Sequence, residues 1–255
     1  MSNSSLLSIM VGSVKSYFEV HSHNYFKGSN FYTSLLKFLR NKNAKSTELS
    51  ILDVGCGDGG FIKAVMSDPH LHASCYATDI SLSMLKEAKT NIDRDDVHLI
   101  VADGFSLPLS GQAKFDLVHL DSVLHHIIRH DRKQSNRAIV SMLNLLNEML
   151  KPNGELLVEE VYYDSFLLPH LTSSFIFQGL KFINSLHLDL RRIMPELIPG
   201  LEVNFLNRKQ LSEILSGFGK VTVLQQTPWK IPKSYSLFLL RSFGHITLRV
   251  QSTFR

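Results

Sequence analysis

The sequence predicts an α/β protein with a doubly wound, mostly parallel sheet. Short apolar segments alternate with amphipathic segments of helical period from residue 49 to residue 161. This alternation is typical of a parallel sheet with helices on both faces. In addition, a turn with four glycines, ILDVGCGDGGF over Ile51–Phe61, follows the first predicted strand. Ligands of such sheets bind at that turn.

Local patterns define the individual elements. The predicted strands are SILDV, ASCYATDI, VHLIVA, KFDLVHL and GELLVEEV. Helices are predicted at GFIKAVM, at SLSMLKEAKTNI with Ser81 as the N-cap, and at NRAIVSMLNLLNEML. Beyond Val161 the alternation breaks. There we expect a helix at Asn207–Leu215 and strands at Lys220–Gln226 and Tyr235–Arg241.

The length of 255 residues suits a single domain over residues 1–255. Residues 1–45 are predicted to form an N-terminal helical lid. Residues 162–200 are too long and too apolar for an ordinary connection, and we expect a helical cap insertion over the substrate site. The insertion carries large apolar side chains that favour a roomy apolar pocket, namely Phe166, Leu167, Leu168, Phe175, Ile176, Phe177, Leu180, Phe182 and Ile183.

Composition restricts the compartment and the partners. Cys56 and Cys75 are too few for a disulfide framework, and no apolar run is long enough to span a membrane. We therefore expect a cytoplasmic protein without a signal peptide or integral membrane association. The net charge is +4, and residues 161–255 hold 11 Lys and Arg against 5 Asp and Glu. This excess could favour an anionic partner, although no basic run appears.

The glycines alone allow two kinds of cofactor. Gly55, Gly57 and Gly60 fit the dinucleotide pattern GxGxxG, whereas Gly55, Gly57 and Gly59 after Asp53 fit DxGxG, the S-adenosylmethionine turn. An acidic residue about 20 positions further on suits either ligand, because both offer ribose hydroxyls to a carboxylate.

Three further segments separate these alternatives. VADGFSLPL places an acid after the third strand, KFDLVHLDSVLHHI runs from the fourth strand into a helix, and MLKPNGELLVEE joins a helix to the fifth strand. This ordered set resembles the class I S-adenosylmethionine-dependent methyltransferases of the small-molecule type, closely over residues 12–161 and loosely beyond. The resemblance implies their Rossmann-like, seven-stranded fold and S-adenosyl-L-methionine as the cofactor.

The resemblance also implies roles for individual residues. The backbone from Gly55 to Gly59, which includes Cys56, Gly57 and Asp58, would face the methionine part of the cofactor. Asp53 would orient its amino group. Asp79 would accept hydrogen bonds from both ribose hydroxyls.

Other positions would enclose the rest of the cofactor. Ile80 and Met84 would pack beside the adenosine, and Asp103 would accept a hydrogen bond from the adenine amino group. The remaining implied contacts are Gly104 and Phe105 along the adenine ring, Leu120 and Asp121 near the methionine amino group, and Tyr25 as an aromatic cover.

Methyl transfer from a sulfonium is an in-line displacement that depends mainly on alignment and on the exclusion of water. A hydroxyl or an acidic carbon as acceptor would also need a general base, and histidine suits neutral pH. The segment SVLHHIIRH offers His126, which matches a histidine of similar segments in the family, with His125 as the second choice. His126 and His130 are four residues apart, but no further ligands complete a site, so we expect no metal.

The predicted function is transfer of a methyl group to O, N or C of a small, fairly apolar acceptor, possibly aromatic, polyketide-like or quinone-like. The first alternative is an RNA methyltransferase, but this chain has LDSV rather than an NPPY-like tetrapeptide after the fourth strand. The second alternative is a non-catalytic protein that binds S-adenosylmethionine. Asp103 and the segment after the fourth strand disfavour a nicotinamide-dependent dehydrogenase. We expect no nucleic-acid partner, and the sequence leaves the oligomeric state open.

Overall fold

The described part of the chain folds around one sheet. The computed structural model describes residues 32–44, 48–109, 114–168, 170–186, 202–231 and 240–252. In chain order its elements are α1 Thr33–Asn43, β1 Leu49–Val54, α2 Gly60–Met66, β2 Ala73–Asp79, α3 Leu82–Ile92, β3 His98–Val101, β4 Phe115–Asp121, a 3₁₀ turn Leu124–His126, α4 Arg132–Glu148, β5 Leu150–Ser165, α5 Leu171–Ser185, α6 Arg208–Ser216, β6 Gly219–Pro228 and β7 Leu240–Ser252.

The sheet has seven strands in the order β3-β2-β1-β4-β5-β7-β6. Neighbours from β3 to β5 pair in parallel, whereas β7 is antiparallel to both β5 and β6. The predicted doubly wound, seven-stranded fold is therefore confirmed. The strand order reverses between β1 and β4, so their carboxyl ends flank a crevice where ligands of such sheets bind.

Side chains on alternate positions of the strands form two cores. Leu52 and Val118 face α4 and α6, where they join Ile139 and Leu215 among other buried residues. Their strand neighbours point to the opposite face and pack against α1, α2 and α3, as Ile51, Leu117 and Leu157 do. Because the side-chain period of a strand is two, every second residue after these three lies on the same face.

Side-chain caps fix the starts of three helices. Ser81 Oγ accepts a hydrogen bond from Met84 N, as predicted, and Asp131 Oδ1 accepts one from Gln134 N. At α6, Asn207 forms a reciprocal capping box with Gln210.

The carboxyl-terminal strands differ most from the sequence prediction. β5 is longer than GELLVEEV and includes the KPNG segment, where Asn153 has φ +65°. The last strand was predicted at Tyr235–Arg241, but the structure places it at Leu240–Ser252. Residues 235–239 lie outside the described residues. The prediction failed because LRSFGHITLRVQS mixes polar and apolar residues and its composition does not indicate a strand. The segment is a strand because it pairs with β5 on one side and with β6 on the other.

The predicted cap is partly described. Residues 162–165 continue β5, and helix α5 follows at Leu171–Ser185. Lys181 Nζ donates hydrogen bonds to the carbonyl oxygens of Arg129 and His130, so α5 is fixed to the loop that follows β4. Residues 187–201 lie outside the described residues.

The predicted N-terminal lid is described only from Tyr32, where α1 begins one residue later. None of the described helices is long and apolar enough to cross a membrane.

Replacing Asn207 with Ala should remove the capping box of α6. Helix caps of this kind contribute about 0.5–2 kcal/mol, so the free energy of unfolding should fall by about 1 kcal/mol in urea titrations. Lys209→Ala, at an exposed position of the same helix, serves as the control and should change stability by no more than about 0.5 kcal/mol. Equal losses in both variants would contradict a role for the cap.

Candidate active site

The glycine-rich turn joins β1 to α2 at the carboxyl edge of the sheet. Gly55, Gly57 and Gly59 have φ of +71°, +54° and +78°, a region that side chains rarely adopt. A Cβ on Gly55 would also lie 2.5 Å from Val123 Cγ2. The first glycine of the turn is therefore required both by backbone conformation and by the loop that follows β4.

Asp79, at the end of β2, holds this turn in place. Its Oδ2 accepts a hydrogen bond from Gly57 N at 2.9 Å, and its Oδ1 accepts one from Ser81 N at 2.8 Å. Burial raises the pKa of Asp79, although these backbone hydrogen bonds oppose the shift. Each carboxylate oxygen has a second lone pair, which leaves acceptor capacity for a ligand.

Asp53 and His119 face each other across adjacent strands. They are register partners in β1 and β4, and Asp53 Oδ1 lies 2.7 Å from His119 Nδ1. The other oxygen of Asp53, Oδ2, is buried and has no hydrogen-bond partner among the described residues. An unsatisfied buried carboxylate oxygen is costly, and the ammonium group of a methionine-type ligand is the kind of donor that would satisfy it.

Glu159 of β5 completes a buried row of charges. His119 Nε2 lies 2.9 Å from Glu159 Oε1, and Glu159 Oε2 accepts a hydrogen bond from Thr247. The imidazole packs on the ring of Phe61, with 3.9 Å between the ring centroids. Burial alone would lower the pKa of His119, but the charges and hydrogen bonds of both carboxylates outweigh it and raise the pKa to about 10. His119 is therefore an imidazolium at neutral pH.

The electrostatic environment of the turn is negative. Burial raises the pKa of the Cys56 thiol well above its usual value, and the charges of Asp53, Asp79 and Asp58 raise it further. A cationic ligand gains from this field, whereas the pyrophosphate of a dinucleotide would be repelled. The structure thus separates the two cofactor classes that the glycine pattern left open.

Asp103 lies in the turn after β3. Its Oδ1 accepts a hydrogen bond from Phe105 N at 3.0 Å. Gly104 packs against Val54 and Met142, and the guanidinium of Arg129 lies 5.2 Å from the centroid of the Phe105 ring. This loop is therefore held against the same edge of the sheet as the glycine turn.

The other predicted cofactor contacts differ in their exposure. Ile80 is half-buried, and Met84 is buried with its Cε next to Gly57. Leu120 is fully buried in the core that faces α4, so only its backbone is available to a ligand. Asp121 is half-buried, and its Oδ1 accepts a hydrogen bond from Ser122 Oγ. Tyr25 lies outside the described residues.

His125 and His126 occupy the 3₁₀ turn after β4. His125 Nδ1 lies 2.7 Å from Glu160 Oε2, and the second oxygen of Glu160 accepts a hydrogen bond from Leu124 N. The two imidazole rings are in contact, with centroids 4.1 Å apart. Burial lowers the pKa of His126 well below its usual value, and His125 contributes to the shift. His126 is thus a neutral imidazole.

Within the described residues, one set of side chains is close enough to be considered as a metal site. It consists of Asp121, Glu159 and His245. His245 directs Nε2 towards Asp121 at 3.6 Å and Nδ1 towards Glu159 at 4.0 Å. One ligand atom from each of the three residues lies within 4.8 Å of the other two, and the imidazole contacts both carboxylates directly.

Sequence reasoning missed His119, Glu159 and Glu160, all of which contact predicted site residues. Two adjacent acidic residues in the buried strand LLVEEV were the available signal, because buried carboxylates are rare without a partner. Tyr32 was also missed. Burial and the charges of Asp121 and Asp53 raise its pKa, which places it beside the same acidic row.

Comparisons with known proteins indicate a methyltransferase domain. Residues 52–158 match the family described as the methyltransferase domain. A malonyl-[acyl-carrier protein] O-methyltransferase from Priestia megaterium is 26% identical over 228 residues, which cover 88% of this chain and 73% of that protein.

Solved structures show the same fold at low sequence identity. The YcgJ protein from Bacillus subtilis is 14% identical with a TM-score of 0.56, over 86% of this chain and 98% of that one. YjhP from E. coli is 15% identical with a TM-score of 0.56, and the match covers 91% of this chain and 98% of YjhP. The N-methyltransferase NodS from Bradyrhizobium japonicum WM9 was solved with S-adenosyl-L-homocysteine. It is 13% identical with a TM-score of 0.50, and the match covers 86% of this chain and 85% of NodS.

The fold, the turn and the family match together define the class of protein. Residues 52–158, which make up less than half of the chain, match the methyltransferase-domain family. These residues form an S-adenosylmethionine-dependent methyltransferase domain, and S-adenosyl-L-methionine is its cofactor.

The raised pKa of His119 predicts how stability depends on pH. The folded pKa of about 10 exceeds the unfolded value of about 6.5. The stabilisation is therefore complete below about pH 6.5 and is lost as the pH rises towards about 10, with a slope of up to about 1.4 kcal/mol per pH unit. Urea titrations at about pH 7 and pH 8.5 should show this loss in the wild type.

His119→Gln should show a smaller change between the two pH values, because glutamine does not titrate. His119→Gln also removes the charge and the hydrogen bond by which His119 lowers the pKa of Asp53, so the titration of Asp53 differs between the two proteins. An NMR titration of the imidazole in the wild type therefore accompanies the comparison and measures the pKa of His119 directly. A value near 6.5 would contradict the assignment of an imidazolium.

Proposed function

We propose that this methyltransferase acts on O, N or C of a small, fairly apolar acceptor. The observation that carries the proposal is the apolar surface of the cap segment. Of the nine large apolar side chains predicted there, Phe177 and Leu180 are buried, Ile176 and Ile183 are half-buried, and the others are exposed, namely Phe166, Leu167, Leu168, Phe175 and Phe182. Exposed apolar patches of this kind mark binding surfaces.

The position of this surface supports a role in acceptor binding. Helix α5 contacts the loop after β4 through Lys181, and Asn204 N donates a hydrogen bond to the carbonyl of His125. The cap segment is therefore joined to the loop that carries both histidines. An acceptor between them would meet apolar side chains on one side and imidazoles on the other. The helical lid of residues 1–45 is proposed to cover the same edge.

The cofactor contacts are proposed as follows. Asp53 Oδ2 binds the ammonium of the methionine part, with Asp121 nearby, and the backbone of Gly55–Gly59 lines this part. Asp79 uses its remaining lone pairs for the ribose hydroxyls. Ile80 and Met84 pack beside the adenosine, and the loop of Asp103 and Phe105 holds the adenine. The bound cofactor supplies an activated methyl group on a positively charged sulfur.

The residues of this chain then align the acceptor and handle its proton. His125 is favoured over His126 as a general base, because Glu160 orients its imidazole and would stabilise the positive charge that forms on accepting a proton. His126, a neutral imidazole, is the second candidate. Both roles apply to a hydroxyl or an acidic carbon as acceptor.

The compartment is proposed from the cysteines. Cys56 and Cys75 are both free and buried, which agrees with a reducing cytoplasm but does not require it.

Asp79→Asn should weaken the binding of S-adenosyl-L-homocysteine. The substitution keeps the size of the side chain but removes its charge and half of its acceptors, so calorimetry should show a loss of about tenfold or more. Asp95→Asn removes an exposed carboxylate and should leave the affinity unchanged. Unchanged affinity in Asp79→Asn, with the thermal unfolding temperature of the wild type, would contradict the ribose contact.

His125→Gln should lower kcat by about 10²–10⁴-fold if this residue is the base, and Glu160→Gln should lower it less. Transfer of a labelled methyl group to a panel of phenols and hydroxyquinones provides the assay. His126→Gln is the matched comparison. The affinity for S-adenosyl-L-homocysteine should be unchanged in all three variants. A larger loss in His126→Gln than in His125→Gln would overturn the preference for His125.

A further inference from the structure

A groove lies apart from the cofactor turn. It has a volume of about 660 Å³ and opens between α4, α5 and α6. Four of the side chains that line it are basic, namely Arg132, Lys133, Arg137 and His170. The other described residues along the groove are polar or apolar and include no carboxylate. Its electrostatic character is thus opposite to that of the cofactor turn.

The register of α4 brings its basic side chains together. Lys133 and Arg137 are one helical turn apart, so they lie on the same face of the helix, and both are exposed. Arg132 precedes them at the first position of α4. Hydrogen-bonding groups accompany the charges, because Asn136, Ser174 and Gln210 also line the groove.

Arg132 provides charge without a carboxylate partner in the described structure. Its guanidinium donates to neutral oxygens only, among them Asn204 Oδ1 at 3.1 Å, Ser174 Oγ at 2.6 Å and the carbonyl of Phe205 at 3.0 Å. The neighbouring Asp131 caps the helix and faces His130 and Lys181 instead. Burial, with no opposing acidic charge, lowers the pKa of Arg132 to about 10.

A half-buried cation in this setting favours an anion beside it. Arginine and lysine together bind phosphate groups well, because a phosphate offers several oxygens to a forked donor and to point charges at once. A carboxylate offers only two oxygens and a single charge to the same set of cations. The groove therefore fits a phosphate better than a carboxylate.

We propose that this groove binds a phosphate group of a small molecule. The phosphate either belongs to a free anion or is an ester on a larger organic molecule. The first turn of α5 lines the groove through His170 and Ser174, and α5 also carries the apolar cap surface. A ligand here would contact α5 about two helical turns before Lys181. The proposal stands on the groove alone and does not depend on the acceptor class.

Calorimetry on the full chain tests this site. Inorganic phosphate, pyrophosphate and phenyl phosphate are titrated separately, with saturating S-adenosyl-L-homocysteine present. We expect pyrophosphate or phenyl phosphate to bind, and the double variant Lys133→Gln/Arg137→Gln to weaken that binding by about tenfold or more. Tighter binding of phenyl phosphate than of both inorganic anions would identify an ester as the ligand. The reverse order would identify a free anion.

The control is Lys37→Gln/Lys220→Gln, which removes the same net charge from two exposed positions on α1 and β6. It should leave the affinity for the phosphate probes unchanged. Equal losses in both double variants, or no binding by the wild type, would overturn the proposal. A short RNA that binds more tightly than every probe and responds equally to both double variants would replace it with a diffuse nucleic-acid surface.

Discussion

The contact of Asp53 with His119, and of His119 with Glu159, is the interaction on which the site depends. It joins β1, β4 and β5 at the edge where the cofactor crevice opens. Buried ion pairs gain little net stability, because desolvation offsets their attraction. Their value here is geometric. A fixed imidazolium holds one oxygen of Asp53 and leaves the other without a hydrogen-bond partner among the described residues.

The charges at this edge also explain why similar glycine turns serve different cofactors. Two carboxylates surround one imidazolium, and Asp58, Asp79 and Asp121 lie close by, so the edge retains negative charge. A sulfonium and an ammonium are attracted to such a field, and a pyrophosphate is not. The basic groove beside α4 carries the opposite charge, so two separate parts of the structure are suited to ligands of opposite sign.

Much of the fold could be predicted from local sequence. The strands up to β5, the turn at Gly55–Gly59 and the cap at Ser81 each depend on residues that are close in the chain. His119 and Glu159 could not be assigned in the same way, since their contacts join residues 66 and 40 positions apart. They follow only when the register of β1, β4 and β5 is known, because Asp53, His119 and Glu159 then share the face of Ile51, Leu117 and Leu157. The last strand was misplaced for the same reason, because its pairing with β5 and β6 joins residues that are far apart in the chain.

The acceptor is harder to infer than the cofactor. One fold hosts O- and N-methyltransferases among the proteins similar to this chain, so the fold does not select the acceptor. The distinguishing information lies in the cap segment and in the pair His125 and Glu160. The cap segment and His125 lie outside the glycine turn, and Glu160 lies in β5.

The most direct measurement is a crystal structure of the full chain with S-adenosyl-L-homocysteine. The account predicts the amino group of the ligand within hydrogen-bond distance of Asp53 Oδ2 and the ribose hydroxyls at Asp79. A ligand bound elsewhere, or one whose amino group points away from Asp53 while a water satisfies Oδ2, would contradict the central claim that the buried row of charges orients the cofactor.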